Sequence, residues 1–240
     1  MLPENIARVE ALPDEARVLD VGGWAAPLAR ADVVLDLLPY ETRGLYGAPG
    51  ERARERVRAE TWVQHDICAR EPFPFADDAF DMVVCSHTLE DVRDPIWVCS
   101  ELSRIGKAGY VEVPSRLEEQ SWGVNGGWVG WSHHHWLIEV VDEGIEFVFK
   151  PHVLHVQEDH GWTFSQAFAA GLAPEERVSA LWWQGAVPAR ERLFDDPEGL
   201  VEWLRAPVLA HGHRDPEAGA GRRLSRIRGR SGRRRRSARL

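Results

Sequence analysis

No run of apolar residues in this chain comes near the ~18 that a membrane-spanning helix requires. The opening Met1-Leu2-Pro3-Glu4-Asn5 also lacks the basic-then-apolar layout of a secretory signal, so a cytoplasmic protein is expected. Cysteine is scarce. Cys68, Cys85 and Cys99 are odd in number and lack the short paired spacing of a zinc site or a redox motif, which excludes a disulfide framework and predicts reduced, largely buried thiols. Lysine is nearly missing, with only Lys107 and Lys150 beside 27 arginines, a skew attributed first to codon composition and only then to phosphate binding. Acid is missing altogether after Glu217, where residues 222–240 hold ten arginines. Setting those ten aside leaves 19 basic against 38 acidic residues, a net −19 on the body. Such a body is a poor grip for a nucleic-acid backbone over a broad face.

What is present is the pattern of an open α/β sheet. With 240 residues the chain can bury a large core without disulfides or metals. Short Val- and Leu-rich runs at 16–22 and 32–38, flanked by Gly and Pro, read as buried parallel strands. About ten residues separate them, so any helix after Gly23 must be very short, with Pro27 in its first turn. Further strands are expected at 61–66, 80–85 and 108–114, with a charged helix-like segment over 49–60 and a helix from Asp94 to Ile105. Runs 135–141 and 145–150, joined at Asp142-Glu143-Gly144, predict a hairpin that finishes the sheet antiparallel. The fold class expected is therefore a doubly wound, mostly parallel Rossmann-like α/β sheet with a late antiparallel hairpin. The expected division is a Rossmann-like domain over 1–160, a Trp-rich C-terminal cap over 161–210 and a disordered Arg-rich tail over 211–240.

Each early strand ends in an acid, a glycine pair or a small polar residue. Arg17-Val18-Leu19-Asp20-Val21-Gly22-Gly23 is the first such end, Asp36 closes the second run, Asp66 the third, and Phe80 to Cys85 leads into Ser86-His87. An open parallel sheet presents groups to its ligand along that carboxyl edge. Taken together, residues 15–115 resemble class I S-adenosylmethionine-dependent methyltransferases of the small single-domain type. The specific part is 73–95, from Phe73-Pro74-Phe75-Ala76-Asp77-Asp78 to Val92-Arg93-Asp94-Pro95.

The resemblance implies S-adenosylmethionine as cofactor and a small-molecule methyl acceptor, lipid-like or sugar-like. It places the amino-acid end of the cofactor at Asp20, Gly22 and Gly23, the ribose at Asp36 beside Leu37, and the adenine at Asp66 and Ile67. Ser86 and His87 fall at the floor of the transfer site, with His87 as the base. Two departures stand out. The third glycine of the usual turn is replaced in Gly23-Trp24-Ala25-Ala26-Pro27, and Glu90-Asp91 stands where relatives often show Glu-His.

Several groups carry two readings. His87 is either that base or a hydrogen-bonded histidine at a strand end. Glu112 either faces the acceptor or pairs with an arginine. The run His133-His134-His135 either rims the acceptor pocket or is exposed, and no metal is assigned to it, because successive residues of a strand point to opposite faces. The tail would suit an anionic partner, nucleic acid or a membrane surface, or have no role at all. Two other functions compete. A nicotinamide-dependent oxidoreductase is disfavoured by Trp24 and Pro27 in the turn that would cradle a pyrophosphate. A non-catalytic cofactor-binding module, targeted by its basic tail, is the other.

Overall fold

The computed structural model describes residues 1–45, 54–142, 144–155 and 161–218. Most of the Arg-rich tail, part of the segment expected to be helical over 49–60, Glu143 of the expected turn, and His160 lie outside the described residues.

The chain forms two compact units. The first combines Met1–Ser115, His133–Lys150 and Pro174–Leu193. It opens with helix α1 (Pro3–Glu10) and then builds the sheet from β1 (Val18–Val21), β2 (Val33–Asp36), β3 (Trp62–Gln64), β4 (Met82–Ser86), helix α2 (Pro95–Ile105) and β5 (Ala108–Pro114). Two further strands, β6 (Trp136–Val141) and β7 (Gly144–Phe149), precede β8 (Val178–Gln184) and β9 (Ala189–Glu191). The six-stranded sheet runs in the order β3-β2-β1-β4-β5-β8, with β1 to β5 parallel and β8 antiparallel to β5.

Four expectations change here. The hairpin forms, but it belongs to a separate sheet in which β7 pairs with β6 on one side and β9 on the other, and the antiparallel strand at the edge of the main sheet is β8. Trp182 and Trp183, read from the sequence as cap residues, are β8 residues. They point to opposite faces of the main sheet, Trp182 against Tyr110 and Trp183 into the layer with Val83 and Ile105. Between β1 and β2 there is no helix at all, and residues 55–58 are not helical, Ala59–Thr61 being a single 3-10 turn.

The central strands β1, β2, β4 and β5 are buried on both faces, and their period of two sorts the side chains into two layers. Leu19, Val21, Val33, Leu35, Val83, Cys85, Val111 and Val113 fall on one face, under Val98, Cys99, Leu102 and Ile105 of α2. Val18, Val34, Trp62, Met82, Val84 and Tyr110 fall on the other, with Val9 of α1. Helix α2 starts where expected, Asp94 accepting the Trp97 N–H at 3.0 Å as its N-cap with Pro95 in the first turn.

The second unit, made of Arg116–Ser132, Pro151–Ala173 and the chain from Phe194, carries α3 (Arg116–Glu119), α4 (Gln166–Ala170) and α5 (Pro197–His211). Phe164 and Phe168 stack at 4.1 Å beside Leu172 in its core. The buried Arg116 guanidinium lies 3.4 Å from the centre of the Trp203 ring and donates to the Trp203 carbonyl at 2.7 Å. No helix among the described residues is long and apolar enough to cross a membrane.

Candidate functional site

Strand parity builds the site. Val18, Val34, Val84 and Tyr110 share one face, so the residues two further along, Asp20, Asp36, Ser86 and Glu112, continue that face toward the carboxyl ends of the parallel strands. Register aligns them, with Asp20 beside Val34 and Val84, and Ser86 beside Glu112. One face of the sheet thus changes from apolar to polar near the edge where ligands of open α/β sheets bind.

At the end of β1 the glycines are demanded by close approach. Gly22 has φ +79°, and a Cβ there would lie 2.1 Å from Thr88 Oγ1. A Cβ on Gly23 would lie 2.3 Å from Asp20 Oδ2. That carboxylate, 4 % exposed, accepts the Leu28 N–H at 2.9 Å and so folds the loop back over the strand end. Burial raises its pKa to about 7 against the pull of the Leu28 hydrogen bond, with Asp36 adding repulsion.

Asp36 accepts the Trp24 N–H at 3.0 Å on one oxygen and the Leu38 N–H at 2.8 Å on the other. Burial raises its pKa too, opposed by those backbone donors. Trp24, the residue that breaks the usual glycine pattern, is thereby part of the Asp36 environment, and its indole N–H reaches Thr42 Oγ1 at 2.9 Å. Next to Asp36 the side chain of Leu37 stands 58 % exposed, an apolar surface at a polar strand end. Asp66, exposed just beyond β3, accepts the Cys68 N–H at 2.8 Å and lies 3.8 Å from Arg93 Nη2. Ile67 is half-buried against the core layer under α2.

At the end of β4 the Ser86 hydroxyl oxygen is buried with no protein partner. His87 follows with φ +51°, a left-handed conformation that non-glycine residues hold only under tertiary constraint. Its Nδ1 lies 3.5 Å from Glu90 Oε1 and its Nε2 3.4 Å from Glu112 Oε1, both carboxylates being buried, while 44 % of the imidazole stays open to solvent. Glu112 also accepts the Tyr110 hydroxyl and the Leu2 N–H, and Asn5 donates to the Tyr110 oxygen at 2.6 Å. Burial works against charge on His87, but Glu112 and then Glu90 outweigh it and hold the pKa up to about 9. Burial likewise pushes Glu112 up, and the contacts with His87 and Tyr110 overcome it and hold the carboxyl down to about 2. The group at the centre of the site is therefore an imidazolium between two carboxylates at neutral pH.

The structure brings Asp20, Gly22, Gly23, Asp36, Ser86 and His87 to the strand ends, with Asp66 and Ile67 following β3. Of the two readings of Glu112, pairing with an arginine is not what the structure gives: its partners are the Met1 ammonium at 3.2 Å, His87 and Tyr110, at the strand end. The contact of Glu90 with His87 was missed by sequence reasoning, and its signal is an acid directly after the apolar Leu89 in a segment whose Leu89 and Val92 are both buried. The histidine run also differs from expectation. Residues 131–135 form a turn ahead of β6, so His133 and His134 are not on a strand and their rings meet at 4.6 Å.

Residues 42–111 match the family model of a methyltransferase domain. No curated protein sequence matches the chain. Solved structures similar to it include a S-adenosylmethionine-dependent methyltransferase from Thermotoga maritima (20 % identity over 50 % of this chain and 53 % of that one, TM-score 0.33). Another is from Mesorhizobium loti (16 %, 49 % and 56 %, TM-score 0.33). A third is from Aquifex aeolicus (17 %, 48 % and 64 %, TM-score 0.34). The chain spans about half the length of the first solved structures it matches.

Proposed function

We propose that this chain is an S-adenosylmethionine-dependent methyltransferase that modifies a small-molecule acceptor, lipid-like or sugar-like, at a hydroxyl or amine. The observation that carries the reading is the alignment of Asp20, Asp36, Ser86 and Glu112 on one face at the carboxyl ends of the strands. The methyltransferase-domain match begins at residue 42, after the glycine turn and Asp36, so the first two strand ends support the reading independently of it.

The residues present suit the cofactor. Asp36 has a carboxylate oxygen pair at the β2 end with spare lone pairs for ribose hydroxyls, Leu37 offers an exposed apolar surface beside it, and the buried Ser86 hydroxyl lacks a protein partner. Asp66 and Ile67 would face the base. Gly22 and Gly23 hold the backbone of the turn where a carboxylate or ammonium group can approach it, and Asp20 orders that turn through Leu28. When bound, S-adenosylmethionine supplies a methyl group already activated on a sulfonium.

What the chain itself must do is align the acceptor and manage its proton. His87 is the group placed for that, with Glu90 and Glu112 oxygens 3.5 and 3.4 Å from its two ring nitrogens. With a pKa of about 9 it is charged at neutral pH, so only about one molecule in a hundred holds the free base there. A cation bound at this edge repels the imidazolium and lowers that pKa, which moves His87 toward a working base.

Calorimetric titration of the purified protein with S-adenosylhomocysteine, in parallel with NADH, tests the reading. Binding of S-adenosylhomocysteine alone is expected, weakened about tenfold or more in Asp36→Ala because a ribose would lose its charged acceptor. NADH binding, or no binding of either ligand, refutes it.

A further inference from the structure

Asp91, His133 and His134 offer three ligand atoms that all lie within 4.8 Å of one another. Asp91 Oδ1 is 4.0 Å from His133 Nε2 and 3.9 Å from His134 Nε2. From these positions we propose that the three side chains form a binding site for one divalent transition-metal ion of the zinc class, separate from the cofactor-binding strand ends.

On a strand, neighbouring histidines such as His133 and His134 would diverge. They are in a turn instead, and the edge-to-face contact of their rings brings both Nε2 atoms toward the same carboxylate. The turn is held in place on either side of Asp91. The His135 N–H donates to the Glu90 carbonyl at 2.8 Å, and the Trp136 indole N–H donates to the Val92 carbonyl at 2.9 Å. Asp91 is itself in a turn, its N–H donating to the Thr88 carbonyl at 3.2 Å. Both backbones are thus fixed before any ion arrives, which lowers the cost of assembling the ligands.

Ligand chemistry selects the ion. Two imidazoles and one carboxylate suit zinc and its transition-metal neighbours, whereas magnesium and calcium demand sets of oxygens. Ligand bonds of ~2.0–2.2 Å put tetrahedral donors about 3.4 Å apart, so the two Asp91–histidine separations close by roughly half an ångström, and the histidine–histidine one, within 4.8 Å, by at most about 1.4 Å, through side-chain rotation. His134 is 6 % exposed while His133 and Asp91 are 56 % and 44 % exposed, so one flank is anchored and the other faces solvent. Three protein ligands with an open flank leave a coordination position for water or for an oxygen or nitrogen of a bound molecule.

Chelator-treated full-length protein is titrated with Zn²⁺ against a chromophoric chelator, and with Co²⁺, whose visible absorption reports its coordination. One equivalent of either ion is expected per chain. His133→Ala and Asp91→Asn, both at exposed positions, should lower zinc affinity by at least about tenfold, the lower end found even for outer-shell partners, with thermal melting of the metal-free protein unchanged. Zinc bound equally by wild type and both variants, or no binding by wild type, overturns the proposal. Neither outcome depends on methyl transfer, so this site and the nucleoside site stand or fall separately.

Discussion

Replacing Glu112 by Gln removes one negative charge from the His87 contact while leaving one amide oxygen, which in the Oε2 position still accepts from Tyr110 and the Leu2 N–H and puts the amide nitrogen toward the imidazole. In the wild type His87 is raised from 6.5 to about 9 although burial opposes it. The two carboxylates therefore supply more than the visible rise of about two and a half pH units, and Glu112 is the larger contributor. Removing it should lower the His87 pKa by about one unit or more, roughly 1–2 kcal/mol of charge interaction once the 44 % exposure of the ring is allowed to screen it. The stability consequence has a definite sign. The contribution of His87 is complete below 6.5 and is lost as pH rises through 9, and that of Glu112 is complete above 4.5 and is lost as pH falls through about 2. Glu112→Gln should flatten both arms. The assay is an NMR titration of the histidine ring protons, with His87→Asn to assign the signal, alongside melting temperature against pH. A wild-type His87 that titrates near 6.5, or one that does not move in the variant, would refute the reasoning.

Asp20→Asn keeps an acceptor for the Leu28 N–H and removes a carboxyl whose folded pKa is raised from 3.8 to about 7. Because that pKa is raised, the wild type should lose stability as pH climbs from about 4 to 7, by up to about 4 kcal/mol, and the variant should not; melting temperatures across that range check it. Gly22→Ala combines φ +79° with a Cβ 2.1 Å from Thr88 Oγ1, so a loss of about 1–3 kcal/mol by denaturant unfolding is expected. A double variant Gly22→Ala/Thr88→Ala, which removes both Oγ1 and Cγ2, should recover only part of it, since the strained backbone remains.

Legibility followed the range of the interactions. Strands β1, β2, β4 and β5 were readable because each is a short apolar run bounded by turn residues, and their ends gave Asp20, Asp36, Ser86 and His87 directly. The 178–184 segment was not readable as a sheet strand. Its two tryptophans sit on opposite faces of one sheet, a demand set by β5 and invisible in local pattern. Nor could sequence reveal that His87 meets two carboxylates, since Glu112 arrives from a different strand and Glu90 only through the turn that follows β4.

Parity connects these observations. Because Asp20, Asp36, Ser86 and Glu112 continue the face that carries Val18, Val34, Val84 and Tyr110, moving any one strand by a single residue would turn its polar end into the layer packed by α2. The apolar residues that fix strand register therefore also fix the site. Stability and ligand geometry are selected together at Leu19, Val21, Val83 and Val111, none of which belongs to the polar group. The same coupling explains the proton state of His87: Glu112 is 1 % exposed because it sits in a packed strand, and a carboxylate there is retained only with a cation beside it. His87 is thus held charged by the fold in the ligand-free protein, and any role as a base depends on what binds next to it.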